Sequence, residues 1–176
     1  MDKKRYLPEV LETERLILRP LTMNDKDAIY KWTSDPRVAK FMPYPVYKSP
    51  DDANSWLENI YLTDKELDYG FVLKETGELI GSGGILFHAE DDEWAIGYNL
   101  RYDQWGKGIA TEVSKKIIEH ATEKFHIKKL VAKVAVENTA SIHVIEKLGL
   151  KYSCDYEYSK FDGSETFKAK KFEINF

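Results

Sequence analysis

Apolar and polar residues alternate along several short segments of the chain, and this pattern predicts β-strands. In "RLILRPL" (15–21), Leu16 and Leu18 fall on the same side. Successive side chains of a strand point to opposite faces of a sheet, so this segment buries one face. Further segments of this kind lie at 69–75, 78–90 and 93–100. The turn-forming sequences "TGE" and "EDDE" between them predict hairpins.

Apolar residues that recur every three or four positions predict helices in other segments. The longest helix runs from Gly106 to about Lys124, with Ile109, Val113, Ile117 and Ala121 on one face. Shorter helices are predicted at 22–35, 51–66 and 138–150, each next to residues that favour a helix start. The four prolines within 36–50 predict an irregular loop. Strands are also predicted at 128–136 and on both sides of "FDGS" near the end.

The order of these elements is β-α-α-β-β-β-α-β-α-β-β, with seven strands. Antiparallel hairpins stand beside a strand-helix-strand crossover, which is typical of a mixed sheet. We therefore predict an α+β (mixed α/β) fold. No repeat or linker interrupts the chain, so residues 1–176 are expected to form one domain.

Composition narrows the classes of function. The net charge is −4 and the pI is about 5.7, which disfavours a nucleic-acid partner bound through bulk charge. The start of the chain lacks the apolar core of a signal peptide, and no apolar run approaches the roughly 20 residues of a membrane span. A single cysteine, Cys154, suits a reducing compartment and is expected to pack as a small apolar residue. The expectation is a soluble, cytoplasmic protein without a membrane partner.

The segment "DQWGKGIATE" (103–112) is the first candidate for chemistry. Two glycines lie where a strand meets a helix, so backbone N–H groups there are open to a ligand. With the helix N-terminus they predict an anion site, and phosphate is the usual guest. A simple tight turn is the alternative. The Gly-Lys-Ser/Thr ending of nucleoside triphosphate loops and the Gly-x-Gly-x-x-Gly dinucleotide pattern are both absent from the sequence.

Two segments together carry a family resemblance. "IGYNLRYDQWGKGIATE" (96–112) and "NTASIHVIEKLGL" (138–150) resemble, in order and spacing, the GNAT superfamily of N-acetyltransferases. "ETERLILRPLTMNDKDAIYKW" (12–32) is similar to the first strand and helix of its branch of ribosomal-protein-alanine N-terminal acetyltransferases. The resemblance covers roughly residues 12–175. It implies a single GNAT-like domain whose central seven-stranded sheet is splayed between 94–100 and 130–136, with helices on both faces.

The resemblance also implies that acetyl-CoA is the co-substrate and lies in the splayed gap. The family pattern Gln/Arg-x-x-Gly-x-Gly/Ala falls on Trp105, Gly108 and Ala110, and Trp105 departs from it by removing one side-chain contact to phosphate. The pyrophosphate would meet the N–H groups of 106–110. The implied cofactor-binding set is Leu100, Arg101, Tyr102, Trp105, Gly106, Lys107, Gly108, Ile109, Ala110, Thr111, Asn138, Ser141 and Lys147.

Acetyl transfer by direct attack needs no enzyme nucleophile and no metal. The N–H near Leu100 would stabilise the oxyanion, and Ser141 or a tyrosine would protonate the leaving thiolate. The branch commonly has a glutamate as base where this chain has Ala95. Glu93 lies on the same strand face and is the candidate base, with His88 as a second one. The alternatives are a solvated turn at Glu93 and a plain helix cap at Asn138.

The amine acceptor is expected on the opposite side from the cofactor. The predicted pocket residues are Trp32, Phe41, Tyr44, Trp56 and His88, with Tyr61 beside them; the alternative is that these aromatics are core residues. Acceptors left open are a protein N-terminus and a small-molecule amine. A CoA-binding sensor without turnover is the alternative function, and a nucleotide-binding regulatory domain is a distant third. Members of the branch are monomers or homodimers, and the sequence leaves both open.

Overall fold

The protein is described by a computed structural model over residues 4–176, and its central feature is one eight-stranded sheet. The strands are β1 (Leu11–Glu12), β2 (Leu16–Arg19), β3 (Glu66–Leu73), β4 (Leu79–His88), β5 (Glu93–Leu100), β6 (Lys129–Ala135), β7 (Lys151–Ser159) and β8 (Thr166–Asn175). The helices are α1 (Lys26–Thr33), α2 (Pro36–Ala39), α3 (Asn54–Asn59), α4 (Ile109–Phe125) and α5 (Thr139–Lys147).

The strand order is β1-β2-β3-β4-β5-β6-β8-β7. All neighbours are antiparallel except β5 and β6, which are parallel because α4 carries the chain across between them. The predicted mixed sheet is therefore confirmed. The two-residue strand β1, paired with β2, is an addition to the seven predicted strands.

The predicted opening of the sheet is also confirmed. Strands β5 and β6 are in register only at Ala95 and Val131. Beyond that pair, residues 96–100 of β5 remain bonded to β4, while β6 remains bonded to β8 through Ala135. The two strands diverge from each other, and we call the space between 96–100 and 132–135 the splayed gap.

Each face of the sheet carries its own apolar core. On one face α4 buries Ile109, Val113, Ile117 and Ala121 against β3, β4 and β5. On the other face α1, α2 and α3 pack around Ile29, Trp32 and Leu57. Alternation in β3 separates the two cores, because Tyr69 and Phe71 join the first cluster and Val72 packs on the second. We call these the α4 face and the α1 face.

The second predicted helix is shorter than its pattern suggests. A 3-10 turn at Pro50–Ala53 leads into α3, which ends at Asn59 rather than near residue 66. Ile60 ends the helix with an extended backbone (ψ 144°), and Tyr61 after it has a φ of 66°. Its buried hydroxyl accepts a hydrogen bond from the Leu21 N–H (2.8 Å) and donates one to the Asp68 carbonyl (2.9 Å). These two long-range bonds compensate for the strained backbone.

Two further expectations are corrected. The proline-rich segment contains the short helix α2, capped by Asp35, which accepts a hydrogen bond from the Arg37 N–H. Cys154 is exposed on β7 instead of packed. Strand β7 lies at the edge of the sheet, and most of its residues face solvent, so alternation there does not report burial.

Candidate functional site

The glycine-rich loop before α4 has the conformation that its glycines predict. Gly106 and Gly108 have φ values of 72° and 76°, in the left-handed region where a side chain is strained. No atom lies within 4 Å of the position a Cβ would take on Gly106. The front of the loop is therefore free of side chains.

The N–H groups of this loop are unpaired. Within residues 4–176, those of Gly106, Lys107 and Gly108 have no hydrogen-bond acceptor. Gly108 is the N-cap of α4 and supplies no side chain to the first turn, whose own N–H groups lack partners inside the helix. Consecutive free donors at a positive helix end form an anion site, and phosphate fits it.

Arg15 fixes the back of the same loop. Its guanidinium donates to the Lys107 carbonyl (2.9 Å) and to the Glu112 carboxylate (2.7 Å). Glu112 also accepts hydrogen bonds from the Arg15 N–H and the Thr13 hydroxyl. Burial alone would raise the pKa of Glu112, but these bonds outweigh it and lower the pKa below its ordinary value. The start of β2 thus anchors the loop from the side opposite its free N–H groups.

The end of β5 turns unpaired donors toward the splayed gap. The Arg101 N–H donates to the Ile80 carbonyl of β4 (2.7 Å). Backbone groups of alternate residues point to opposite neighbours in an antiparallel ladder, so those of Leu100 and Tyr98 point away from β4. On that side β6 has diverged. The Leu100 carbonyl accepts from the Trp105 indole N–H (3.0 Å), whereas the Leu100 N–H faces the gap.

Side-chain contacts stabilise residues 101–105, which connect β5 to the glycine-rich loop. Arg101 is held by Asp103 (2.7 Å) and Glu78 (3.3 Å). Tyr102 packs against Trp105 with ring centroids 4.9 Å apart, and the Arg37 guanidinium lies 3.5 Å from the centre of the Tyr102 ring. Trp105 therefore has a structural role here, which fits its departure from the family pattern.

The first turn of α5 lies across the gap from β5. The Asn138 side chain accepts a hydrogen bond from the Ser141 N–H (3.3 Å), which is the predicted helix cap. The Ser141 hydroxyl lies 3.0 Å from the Tyr98 hydroxyl. Burial raises the pKa of Tyr98 to about 12, so its proton is retained at neutral pH. Lys147 is exposed at the opposite end of α5 from Asn138.

On the α1 face, β5 is lined by small and polar residues. Gly97 is exposed, and a Cβ there would meet nothing within 4 Å. Beside it the Asn99 side chain donates to the Ser82 carbonyl and hydroxyl, both at 2.9 Å. Asn99 also accepts a hydrogen bond from the Tyr44 hydroxyl (2.7 Å). We call this open strip along β5, from Gly97 to Asn99 and Tyr44, the acceptor groove.

One lysine holds the loop that carries Tyr44. Lys160 donates to the carbonyls of Ala39 (2.7 Å), Met42 (2.8 Å) and Tyr44 (3.1 Å). Burial lowers the pKa of Lys160, while the carboxylates of Glu165 and Asp162 oppose this shift. The hairpin of β7 and β8 thereby fixes one wall of the acceptor groove.

The predicted base candidates lie at the far end of β5. Glu93 is its first residue and forms an ion pair with Lys171, with Lys129 3.9 Å away. Seven residues of extended strand separate it from Leu100, a distance of about 23 Å. His88 is exposed opposite Glu93 at the end of β4. Glu93 is thus engaged by lysines and distant from Leu100.

The predicted pocket aromatics divide into two groups. Trp32 is 0% exposed and belongs to the core of the α1 face, so it cannot contact a ligand without unfolding. Trp56 is half-buried against the same core. Phe41 packs edge-on against Phe167. Of this set, Tyr44 alone reaches β5 through a hydrogen bond among the described residues.

The sequence analysis missed Tyr98, Asn99 and Lys160. Tyr98 and Asn99 are adjacent in "IGYNL", so alternation alone places one of them on each face of β5. That pattern was sufficient to propose them. Lys160 carries no local pattern, because its three acceptors lie about 120 residues earlier in the chain.

Two kinds of feature are absent from the part of the chain that the structure describes. No helix within residues 4–176 is long and apolar enough to cross a bilayer. Likewise, no group of three or more His, Cys, Asp or Glu side chains in this range is placed to hold a metal ion.

Known proteins of similar fold place this geometry in context. The Microcin C7 self-immunity acetyltransferase MccE, solved in complex with acetyl-CoA and AMP, superposes with a TM-score of 0.78 at 18% identity, over 93% of both chains. Ribosomal-protein-S5-alanine acetyltransferase from Vibrio fischeri gives a TM-score of 0.76 at 18% identity, over 96% of this chain and 97% of that one. These likenesses show a shared fold.

Sequence comparison goes further. An uncharacterised N-acetyltransferase of Bacillus licheniformis, p20, is 33% identical over 159 residues, covering 86% of this chain and 89% of the relative. The family described as "Acetyltransferase (GNAT) domain" matches residues 15–151. The chain therefore belongs to the GNAT acetyltransferase family.

Proposed function

We propose that the protein transfers an acetyl group from acetyl-CoA to a primary amine, by direct attack within a ternary complex. The single observation that carries this proposal is the row of free N–H groups at Gly106, Lys107 and Gly108 beside the splayed gap. A phosphate-binding loop next to an opened sheet suits a long ligand with a pyrophosphate at one end. The solved relative MccE, which holds acetyl-CoA on the same fold, supports the choice.

The donor would be bound by backbone more than by side chains. Gly106 and Gly108 let the pyrophosphate approach the loop, and the exposed Lys107 adds a positive charge. Leu100 and Tyr98 offer backbone groups that an extended amide chain can pair with, as an added strand would. Asn138 is a further polar group near the gap. Bound acetyl-CoA supplies the activated acetyl group.

Two groups at the gap are assigned to the chemical step, one to the oxyanion and one to the leaving thiolate. The Leu100 N–H is a preorganised donor for the negative charge that develops on the carbonyl oxygen. The Ser141 hydroxyl, bonded to the Tyr98 hydroxyl, is the proposed proton donor to the leaving thiolate. Neither role needs a metal or an enzyme nucleophile. Positioning of the two substrates accounts for much of the rate in such a mechanism.

The acceptor would approach from the α1 face along the acceptor groove. A protein N-terminus and a small-molecule amine both fit an open groove. Proton removal from the amine is assigned to water reached from this groove, because Glu93 is held by Lys171. Glu93→Gln tests whether Glu93 acts through water: an unchanged pH profile of turnover would remove Glu93 from the mechanism.

A CoA-binding sensor without turnover is the second candidate. Two observations favour it: Ala95 stands where the branch commonly has a glutamate, and Glu93 is already ion-paired. It shares the donor site with the enzyme and differs only in chemistry.

Calorimetric titration with acetyl-CoA, and with ATP as the control, tests the donor site. Micromolar binding that is selective for acetyl-CoA is the expected result. Comparable binding of ATP, or no binding of either, would contradict the proposal. Turnover is then followed by loss of thioester absorbance with a panel of peptides and small amines. A thiol reagent is unsuitable, since Cys154 is exposed and would react. Tight binding without turnover on any amine would favour the sensor.

A further inference from the structure

Asp68 is a buried carboxyl group without a cationic partner. It is 8% exposed, and its Oδ1 accepts one hydrogen bond, from the Tyr69 N–H (3.1 Å). No lysine, arginine or histidine among residues 4–176 pairs with it. Buried carboxylates are normally paired with a cation, because an isolated charge is costly away from water. This group therefore needs an explanation beyond packing.

The strand register determines which face Asp68 occupies. Leu67, Tyr69 and Phe71, its odd-numbered neighbours on β3, all join the core of the α4 face. Asp68 alternates with them and points to the α1 face, as Val72 does. It is thus on the same side of the sheet as the acceptor groove, and on the opposite side from α4 and the glycine-rich loop.

Two glycines lie in register between Asp68 and the acceptor groove. Asp68 is paired with Gly84 on β4, and Gly84 is paired with Gly97 on β5. A Cβ on Gly84 would lie 1.9 Å from the Leu67 carbonyl oxygen, so only glycine fits there. At Gly97 the corresponding space is open. Neither the buried Gly84 nor the exposed Gly97 therefore places a side chain between the carboxyl group and the exposed strip on β5.

The electrostatics of this site favour a positive guest. Burial raises the pKa of Asp68 to about 7, and the neighbouring Glu66 carboxylate adds to the rise. Glu66 lies two residues before Asp68 on β3 and on the same face of the sheet. Burial also raises the pKa of Glu66. The buried Tyr61 contributes a neutral hydroxyl that is bonded to the Asp68 backbone. A cationic group beside Asp68 would supply the missing partner.

The geometry points to Asp68 as the binding partner of a second cationic group on the acceptor, while the reacting amine lies beside Leu100 and Tyr98. This inference rests on the proposed function and narrows its substrate to amines that carry a further positive charge. Asp68 is two strand spacings from β5, and Leu100 lies three residues beyond Gly97, so about 14 Å separate Asp68 from Leu100. That distance is too long for Asp68 to touch an amine at the gap, and it sets the separation expected between the two nitrogens.

Binding of linear amines tests the inference without requiring turnover. Octanediamine, propanediamine and n-octylamine are titrated calorimetrically into the protein, both alone and saturated with CoA. We expect octanediamine to bind about tenfold or more tightly than n-octylamine, since only it can place one nitrogen at the gap and a second one at the buried carboxylate. Propanediamine, whose nitrogens are too close together, should lose this advantage.

Two variants and one control connect the preference to this site. Asp68→Asn should abolish the octanediamine preference while the affinity for acetyl-CoA stays unchanged. Gly97→Val should also abolish it, by filling the open position between Asp68 and the gap; a β-branched residue is favoured in a strand, so the fold should tolerate it. Asp64→Asn removes the same charge from an exposed position and should leave the preference intact.

The outcomes separate this inference from the proposed function. If the unmodified protein does not bind acetyl-CoA, the proposed function is contradicted. The binding of the diamines to the protein alone can still be measured and interpreted. Normal acetyl-CoA binding with equal affinity for octanediamine and n-octylamine would overturn only the role of Asp68. An octanediamine preference that survives in both Asp68→Asn and Gly97→Val would overturn it as well.

Discussion

The hydroxyl groups of Tyr98 and Ser141 lie 3.0 Å apart and join β5 to α5 where the sheet opens. One side chain comes from the strand that borders the splayed gap, and the other from the first turn of the helix that faces it. Because burial raises the pKa of Tyr98 to about 12, the pair holds a proton throughout the neutral range. Two coupled hydroxyls at this point are suited to protonating a thiolate.

We expect Ser141→Ala to lower kcat about tenfold or more, since a positioned acid is lost from the leaving group. The KM for acetyl-CoA should change little, because the glycine-rich loop supplies most of the contacts to the donor. Tyr98→Phe should show a smaller loss with the same pattern. Steady-state kinetics on an accepted amine measures both.

Tyr152→Phe is the control for the hydroxyl variants. It removes a tyrosine hydroxyl that is bonded to Asp155 on the exposed edge strand, far from the gap. Its kinetics should equal those of the unmodified protein. A rise in KM for acetyl-CoA with unchanged kcat in Ser141→Ala would assign Ser141 to binding rather than proton transfer.

Gly106→Trp should reduce acetyl-CoA affinity by about 100-fold or more, because an indole replaces the space in which a phosphate would approach the free N–H groups. Gly77→Trp is its matched control: Gly77 has the same φ of 72° and, like Gly106, nothing within 4 Å of its Cβ position, and it lies in the turn between β3 and β4. Both variants carry the same backbone strain. Calorimetry and thermal melting of the pair separate lost binding from lost stability, and equal affinities would refute the phosphate site.

Lys160→Met should destabilise the protein by about 1–3 kcal/mol, because the carbonyls of Ala39, Met42 and Tyr44 lose a charged donor. The loop carrying Tyr44 should loosen, raising the KM for the acceptor more than the KM for acetyl-CoA. Lys168→Met, on the exposed side of β8, is the control. Denaturant unfolding gives the stability change, and an unaltered acceptor KM would show that the loop does not form the groove wall.

Asp68 makes the stability of the protein depend on pH in an unusual direction. Its pKa rises from an ordinary value of 3.8 to about 7 on folding, so the folded state holds the proton longer than the unfolded state. The contribution of Asp68 to the free energy of unfolding is therefore fully present below pH 3.8 and is lost as the pH rises to about 7. The variant Asp68→Asn does not show this loss.

The free energy of unfolding of Asp68→Asn, relative to the unmodified protein, should therefore increase between pH 4 and pH 7, by roughly 2–4 kcal/mol. Urea unfolding at both pH values measures it, and Asp64→Asn should show no such trend. A constant difference across the range would mean that Asp68 is ionised throughout and has a partner.

Local patterns predicted most of the elements. Alternation identified β2 to β6, and apolar spacing identified α4 through Ile109, Val113 and Ile117. The helix ends were less accurate. The end of α3 depends on Tyr61, whose hydroxyl bonds to Leu21 and Asp68, and no local pattern carries that information.

The backbone conformations predicted around the candidate site agree with the structure. The left-handed conformations of Gly106 and Gly108 and the cap at Asn138 need only neighbouring residues. Glu93 was proposed as a base from parity on β5, and parity alone could not reveal its ion pair with Lys171 on β8. The functional roles of these residues remain predictions that the variants above test.

The sequence by itself determined the strands and helices, the glycine-rich loop and its family, because these depend on side-chain periodicity and on motifs a few residues long. Tertiary structure alone decided where β5 parts from β6, that Tyr98 meets Ser141, that Lys160 fixes the loop of Tyr44, and that Asp68 lies buried without a cation. The physical reason is that periodicity reports which face of an element is buried. It does not report which distant element covers that face, or whether a charge finds its partner there.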